Sequence, residues 1–158
     1  MAEPHDNEVA EAEAETVSRL WERIVPMFSL VEGQLDHTLT RRHGIGLGQL
    51  MALGALVDEH PDSVAVGGVA RRLGLSSSAA SRILAHLERS GWAAKVAWSC
   101  DRRTSRVAVT EAGLALWAPA SRTLDHELAM VFETLKFDER YAHVVARLCR
   151  AGGEPPAR

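Results

Sequence analysis

Five arginines and one lysine, Arg82, Arg89, Lys95, Arg102, Arg103 and Arg106, fall within residues 76–113 beside only three acids, Glu88, Asp101 and Glu111. A run of hydroxyls, Ser76, Ser77, Ser78 and Ser81, stands immediately ahead of them. Guanidinium and ammonium groups donate hydrogen bonds and accept none, and hydroxyls do both, so this set suits recognition of an acceptor-rich anion. Nucleophilic or metal-assisted catalysis would need more. The chain carries no Gly-x-Ser-x-Gly elbow, phosphate loop, dinucleotide fingerprint or metal-hydrolase motif, and helix capping accounts for the serines. An enzyme is therefore not expected.

The whole chain has 158 residues and a formal charge of −3, which conceals two opposed segments. Residues 1–36 hold nine acids against Arg19 and Arg23, a net of −7, whereas residues 71–106 hold eight bases against Glu88 and Asp101, a net of +6. Phosphate neutralisation responds to the local field, so a basic segment inside an acidic protein is a candidate polyanion footprint. A length of 158 residues with 46% hydrophobic content supports one folding unit, alone or sharing a core with a second copy. No stretch approaches the roughly 18 apolar residues of a membrane span, and the acidic start is unlike a secretory signal. A cytoplasmic location is expected, and two cysteines, Cys100 and Cys149, suit a reducing compartment.

The elements that must position these donors are mostly helical. From residue 9 to 42 apolar residues recur at three- and four-residue steps (Val17, Leu20, Trp21, Ile24, Phe28, Val31, Leu35, Leu39), with Pro26 placed to kink or divide the helix. After the break at HGIGLGQ, a second helix is expected over residues 47–60, stopped by Pro61, then a short extended piece and a short helix over 67–73 ending at Gly74. Ser76 or Ser77 caps the next helix, which runs to Ser90 and closes at Gly91. Its spacing places Ala80, Ile83, Leu84 and Leu87 on one face and Ser77, Ser78, Ser81, Arg82 and Ala85 on the other. The period then changes to two: WAAKVAW and SRVAVT read as strands of a hairpin whose tip carries Arg102 and Arg103. Helix, turn, helix and basic hairpin make a winged helix-turn-helix. Its second helix is shaped to enter a major groove while the hairpin tip reaches the minor groove or flanking phosphates.

LGLSSSAASRILAHLERSGW followed by DRRTSRVAVTEAG resembles the MarR (multiple-antibiotic-resistance regulator) family of transcription factors over residues 64–117. Asp101 and Arg103 match the family's Asp-x-Arg wing pattern, and Thr110 and Gly113 match the end of its Leu-Thr-x-x-Gly, with Val109 in place of leucine. The resemblance implies a mainly α fold with a small β-hairpin wing, one domain over 1–158, a DNA-reading lobe at 47–110, and dimerisation helices at 8–43 and 111–151. It implies a homodimer on double-stranded DNA, with Ser77, Ser78, Ser81, Arg82, Arg102 and Arg103 as contacts, Lys95 and Arg106 as further ones, and Asp101 steadying the wing. Ligand-relieved repression is the activity implied, with no cofactor. Thr110 and Glu111 suit the start of the last long helix, which Pro119 should kink, and Asp138 caps a final one.

The family's small aromatic or phenolic effectors bind between the dimer helices and the DNA-reading lobe, which makes Trp21 and His37 the candidate lining residues. Trp21 resembles a tryptophan of urate-responsive members, yet Ala85 stands where their recognition-helix aspartate is expected. Two alternatives remain: a redox switch through Cys100, whose arginine neighbours favour a thiolate, and a sequence-blind architectural DNA binder. The seven histidines include no compact His-x-x-x-His pair, so no metal site is expected.

Overall fold

The computed structural model describes residues 4–96, 105–138 and 141–142. A 40-residue helix, α1 (Pro4–His43), is followed by α2 (Leu47–Val57), β1 (Val64–Ala65), α3 (Val66–Leu73), α4 (Ser77–Arg89), β2 (Ala93–Val96), β3 (Arg106–Val109) and α5 (Glu111–Lys136). The fold is thus mainly helical with one small antiparallel sheet. Its chain divides into two compact units, Leu35–Glu127 and the pair Met1–Gln34 with Leu128–Arg158. The larger unit includes the last residues of α1 and the first part of α5.

Within Leu35–Glu127 the core is built from Leu39, Ile45, Leu50, Leu53, Leu56, Val69, Leu84, Leu87 and Val107, all fully buried. Each such side chain contributes roughly 1.5–3 kcal/mol on leaving water. Five successive core residues of α2, Ala52 to Leu56, are buried, so this helix is apolar on all sides and sits inside the unit. At Gly54 the Trp117 ring lies where a side chain would go: an added Cβ would stand 2.5 Å from Trp117 Cη2. Close approach of α2 and α5 therefore requires the glycine.

One residue outside α2 and one in its first turn cap its start. Asp36 Oδ1 accepts from the Leu47 amide at 2.8 Å and Gln49 Oε1 from the Gly46 amide at 3.0 Å, which satisfies donors that the helix cannot. The helix ends at Val57, three residues before the expected His60, and a turn through Asp58–Pro61 carries hydrogen bonds from His60 N to Val57 O and Asp62 N to Glu59 O. Pro61 thus follows a turn that has already ended the helix.

The sheet order is β1-β3-β2, with Val64 opposite Val107 and Ala93 opposite Val109. The sequence pattern identifies the hairpin, and β1 adds a third strand: two residues of VAV pair with β3 and α3 begins directly after them. In the smaller unit Met27, Val131, Leu135 and Tyr141 form a cluster flanked by Ile24, Val31 and Phe132. Helix α1 passes through Pro26 undivided. Of the expected stripe, Leu35 and Leu39 are buried and Ile24 and Val31 pack inward, whereas Trp21 and Phe28 are exposed and Met27 is buried in their place. Of the expected helix from Asp138, the described part is its first turn, in which the Tyr141 and Ala142 amides donate to Asp138 O.

Candidate nucleic-acid interface

Helix α3 ends on Gly74, whose φ of 64° is the left-handed geometry that glycine adopts without cost. The Leu75 amide returns to Ala70 O at 2.9 Å, and the chain turns at once into α4. Ser76 caps that helix: its hydroxyl accepts from the Ala79 amide at 3.2 Å and lies 3.1 Å from Ser78 Oγ. The tight turn fixes α4 against α2 and α3. Ala80, Leu84 and Leu87 are buried there, while Ser77, Ser78, Ser81, Arg82 and Arg89 face outward and are exposed. The outward face bears hydroxyls, two guanidiniums and the small Ala85, with the half-buried Glu88 at its edge.

Strands β2 and β3 follow this helix. Lys95, on β2, meets the Glu88 carboxylate at 3.3 Å, with 68% of the lysine side chain exposed. A pair that open to water adds less than about 1 kcal/mol and can exchange for another anion. Arg106 is engaged differently: Nε donates to Ser63 Oγ at 2.9 Å and Nη2 donates to the Ser63 carbonyl, tying β3 to the segment before β1. Its guanidinium is thereby committed within the lobe. Cys100, Asp101, Arg102 and Arg103 lie outside the described residues, as do Cys149 and His143.

Several residues of this surface escape a reading of the sequence. Arg72 pairs with Asp58 across the gap between α3 and α2, and Arg89 joins the exposed face of α4. His43 Nε2 and Thr123 Oγ1 are 2.8 Å apart, and Arg42 reaches Glu127 at 3.7 Å, so the end of α1 is tied to α5 within the larger unit. Helical spacing alone would have found Arg89, seven residues beyond Arg82; the pairings join distant parts of the chain and leave no local signal. Trp21 is 65% exposed, and His37 is exposed on the last turns of α1. Among the described residues no group of three or more His, Cys, Asp and Glu side chains gathers to hold a metal ion. No helix among them is long and apolar enough to cross a membrane.

A family model described as the MarR family matches residues 43–104. No curated protein matches the chain. Among solved structures, Sco3205, a MarR family transcriptional regulator from Streptomyces coelicolor in complex with DNA, is 18% identical, with a TM-score of 0.69 over 88% of this chain and 89% of that one. A MepR–DNA complex from Staphylococcus aureus is 20% identical, with a TM-score of 0.67 over 83% of this chain and 95% of that one. Wild-type MarR from E. coli in its apo form is 17% identical, with a TM-score of 0.65 over 85% of this chain and 97% of that one. Identities this low carry the fold, and the matched lobe contains α2 to β2 with the whole exposed face of α4.

Proposed function

We propose that the chain, which carries a MarR-family match at residues 43–104 inside a fold similar to that of MarR-family regulators, is a winged helix-turn-helix protein of that family and a homodimeric, sequence-specific DNA-binding transcriptional regulator. The observation that carries this is α4, whose outward face holds Ser77, Ser78, Ser81 and Arg82 exposed above a buried Ala80–Leu84–Leu87 face. Such a helix approaches a major groove closely, and its amino-terminal end, with partial positive charge, favours phosphate. Two of the similar structures were solved with DNA bound. Arg102 and Arg103 at the wing tip, with Asp101 to steady them, extend the footprint to the adjacent minor groove, and Lys95 exchanges Glu88 for a phosphate.

Pairing of two copies is supported by the smaller unit, where Phe28 and Leu30 are each 59% exposed, Met130 54% and Phe137 86%. Apolar surface of this density is covered by a partner in water. A twofold dimer places two α4 helices about one turn of DNA, ~34 Å, apart on a pseudo-palindromic operator. Relief by a small aromatic or phenolic effector fits the same scheme, in which the ligand favours a spacing of the two lobes other than the one DNA needs.

Fluorescence anisotropy on labelled duplex from upstream of the protein's own gene, against random duplex at one salt concentration, tests the reading. A specificity ratio of ~10³ or more is expected. Equal affinities with a steep salt dependence would replace it with an architectural binder. Light scattering should give a dimer, and a panel of phenolic acids added to the complex should include one that lowers the anisotropy.

A further inference from the structure

The outward face of α4 does not hold equivalent donors. Ser78, Ser81 and Ala85 are short, and the Ser78 hydroxyl already lies 3.1 Å from that of Ser76. A hydroxyl donates to or accepts from any base, so these residues bring the helix close without choosing a sequence. His86 is half-buried, its ring 6.4 Å from that of Trp92. Two side chains remain with a fork of donors. Arg82 and Arg89 are both exposed, and neither has a hydrogen bond or ion pair among the described residues. Seven residues apart, they stand on nearly the same side of the helix and about 10 Å apart along its axis. Arg82 lies in the second turn; Arg89 is the last residue of α4.

A recognition helix presents its amino-terminal turns to the base edges and lets its carboxyl end rise toward the sugar-phosphate rim. Given the proposed entry of α4 into the major groove, we infer that Arg82 is the base-reading residue of this protein, donating both arms of its guanidinium to O6 and N7 of a guanine. Arg89 anchors the neighbouring phosphate. The bidentate fit is the commonest specific contact of arginine with DNA, and the short side chains at Ser78, Ser81 and Ala85 clear the groove around it. Each operator half-site then carries one strongly specified G·C pair, repeated by twofold symmetry about one helical turn away, among more tolerant positions.

The test uses duplexes that the purified full-length protein selects from a randomised pool. Enriched sites should share one invariant guanine per half-site. Replacing it with 7-deazaguanine, which removes the N7 acceptor alone, should weaken wild-type binding about ten-fold. Arg82→Ala should bind the guanine and 7-deazaguanine duplexes alike and should tolerate any base there. Arg89→Ala should keep the guanine preference, lose affinity equally for every duplex, and lower the slope of log affinity against log salt by about one. Arg82→Ala retaining the full preference, or Arg89→Ala losing it, overturns the assignment while leaving groove entry intact. Failure of the wild-type protein to enrich any duplex overturns groove entry itself, and the assignment with it.

Discussion

Replacing Gly113 with alanine tests how the wing is joined to the last long helix. In an isolated helix this change stabilises by about 1 kcal/mol. Here an added Cβ would stand 2.1 Å from the Trp92 carbonyl oxygen and 2.8 Å from Val109 Cγ2. The obstacle is backbone, fixed from both sides: Trp92 O accepts from the Thr110 amide at 3.1 Å, and the adjacent Ala93 pairs with Val109. Relief requires the first turn of α5 to move away from β2 by about an ångström. That breaks the Thr110–Trp92 bond, worth about 1 kcal/mol, and overpacking adds about 1–3 kcal/mol. Set against the helical gain, the net loss is about 1–3 kcal/mol, a fall in Tm of about 2–12 °C for a chain of this size. Urea unfolding followed by tryptophan emission and far-ultraviolet circular dichroism measures it. Gly48→Ala is the control: this exposed glycine of α2 has nothing within 4 Å of an added Cβ and should gain about 0.5 kcal/mol. A Gly113→Ala protein as stable as the wild type would refute the reasoning.

Asp36→Ala should cost about 1 kcal/mol in the same urea assay, because the Leu47 amide loses its acceptor, and Asp36→Asn should restore most of it. Arg106→Ala should lower stability by about 1–3 kcal/mol in the absence of DNA, since it strips the Ser63 carbonyl and hydroxyl of their donor. Unchanged unfolding would return Arg106 to the list of groups free to bind phosphate. Arg103→Ala should weaken operator binding in anisotropy while the dimer stays intact by light scattering; loss of the dimer would place residue 103 elsewhere than at a wing tip.

Local signals carried most of the larger unit. The serine cap, the three- and four-residue spacing of α4, the glycine at its start and the change to a two-residue period each depend on neighbours in the chain, and each element stands within a few residues of where those signals place it. Gly74 is a good instance, since one left-handed residue both ends α3 and aims α4. What the spacing could not give depends on distant partners. The short extended piece expected before α3 is found as β1, but its pairing with β3 joins residues more than forty apart and has no local signal. On α1 the spacing places Ile24, Val31, Leu35 and Leu39 inward as found, but apolar residues occur on several of its sides, so periodicity alone cannot tell Met27, buried in its own unit, from Phe28, left exposed.

Charge counting shows the same division most sharply. Residues 71–106 hold eight bases, and among the described ones three have partners inside the lobe: Arg72 with Asp58, Lys95 with Glu88, and Arg106 with Ser63. Asp58 lies outside that segment, so a tally within it overstates the field that a phosphate would meet. The pairings differ in kind as well. Lys95 is 68% exposed, and its pair opens for another anion at little cost, whereas Arg106 would leave a carbonyl and a hydroxyl behind. Arg71, Arg82 and Arg89 are exposed, and two of these three lie on the outward face of α4. Among the described residues the exposed, unpaired bases of the segment thus narrow to Arg71 on α3 and the outward face of α4.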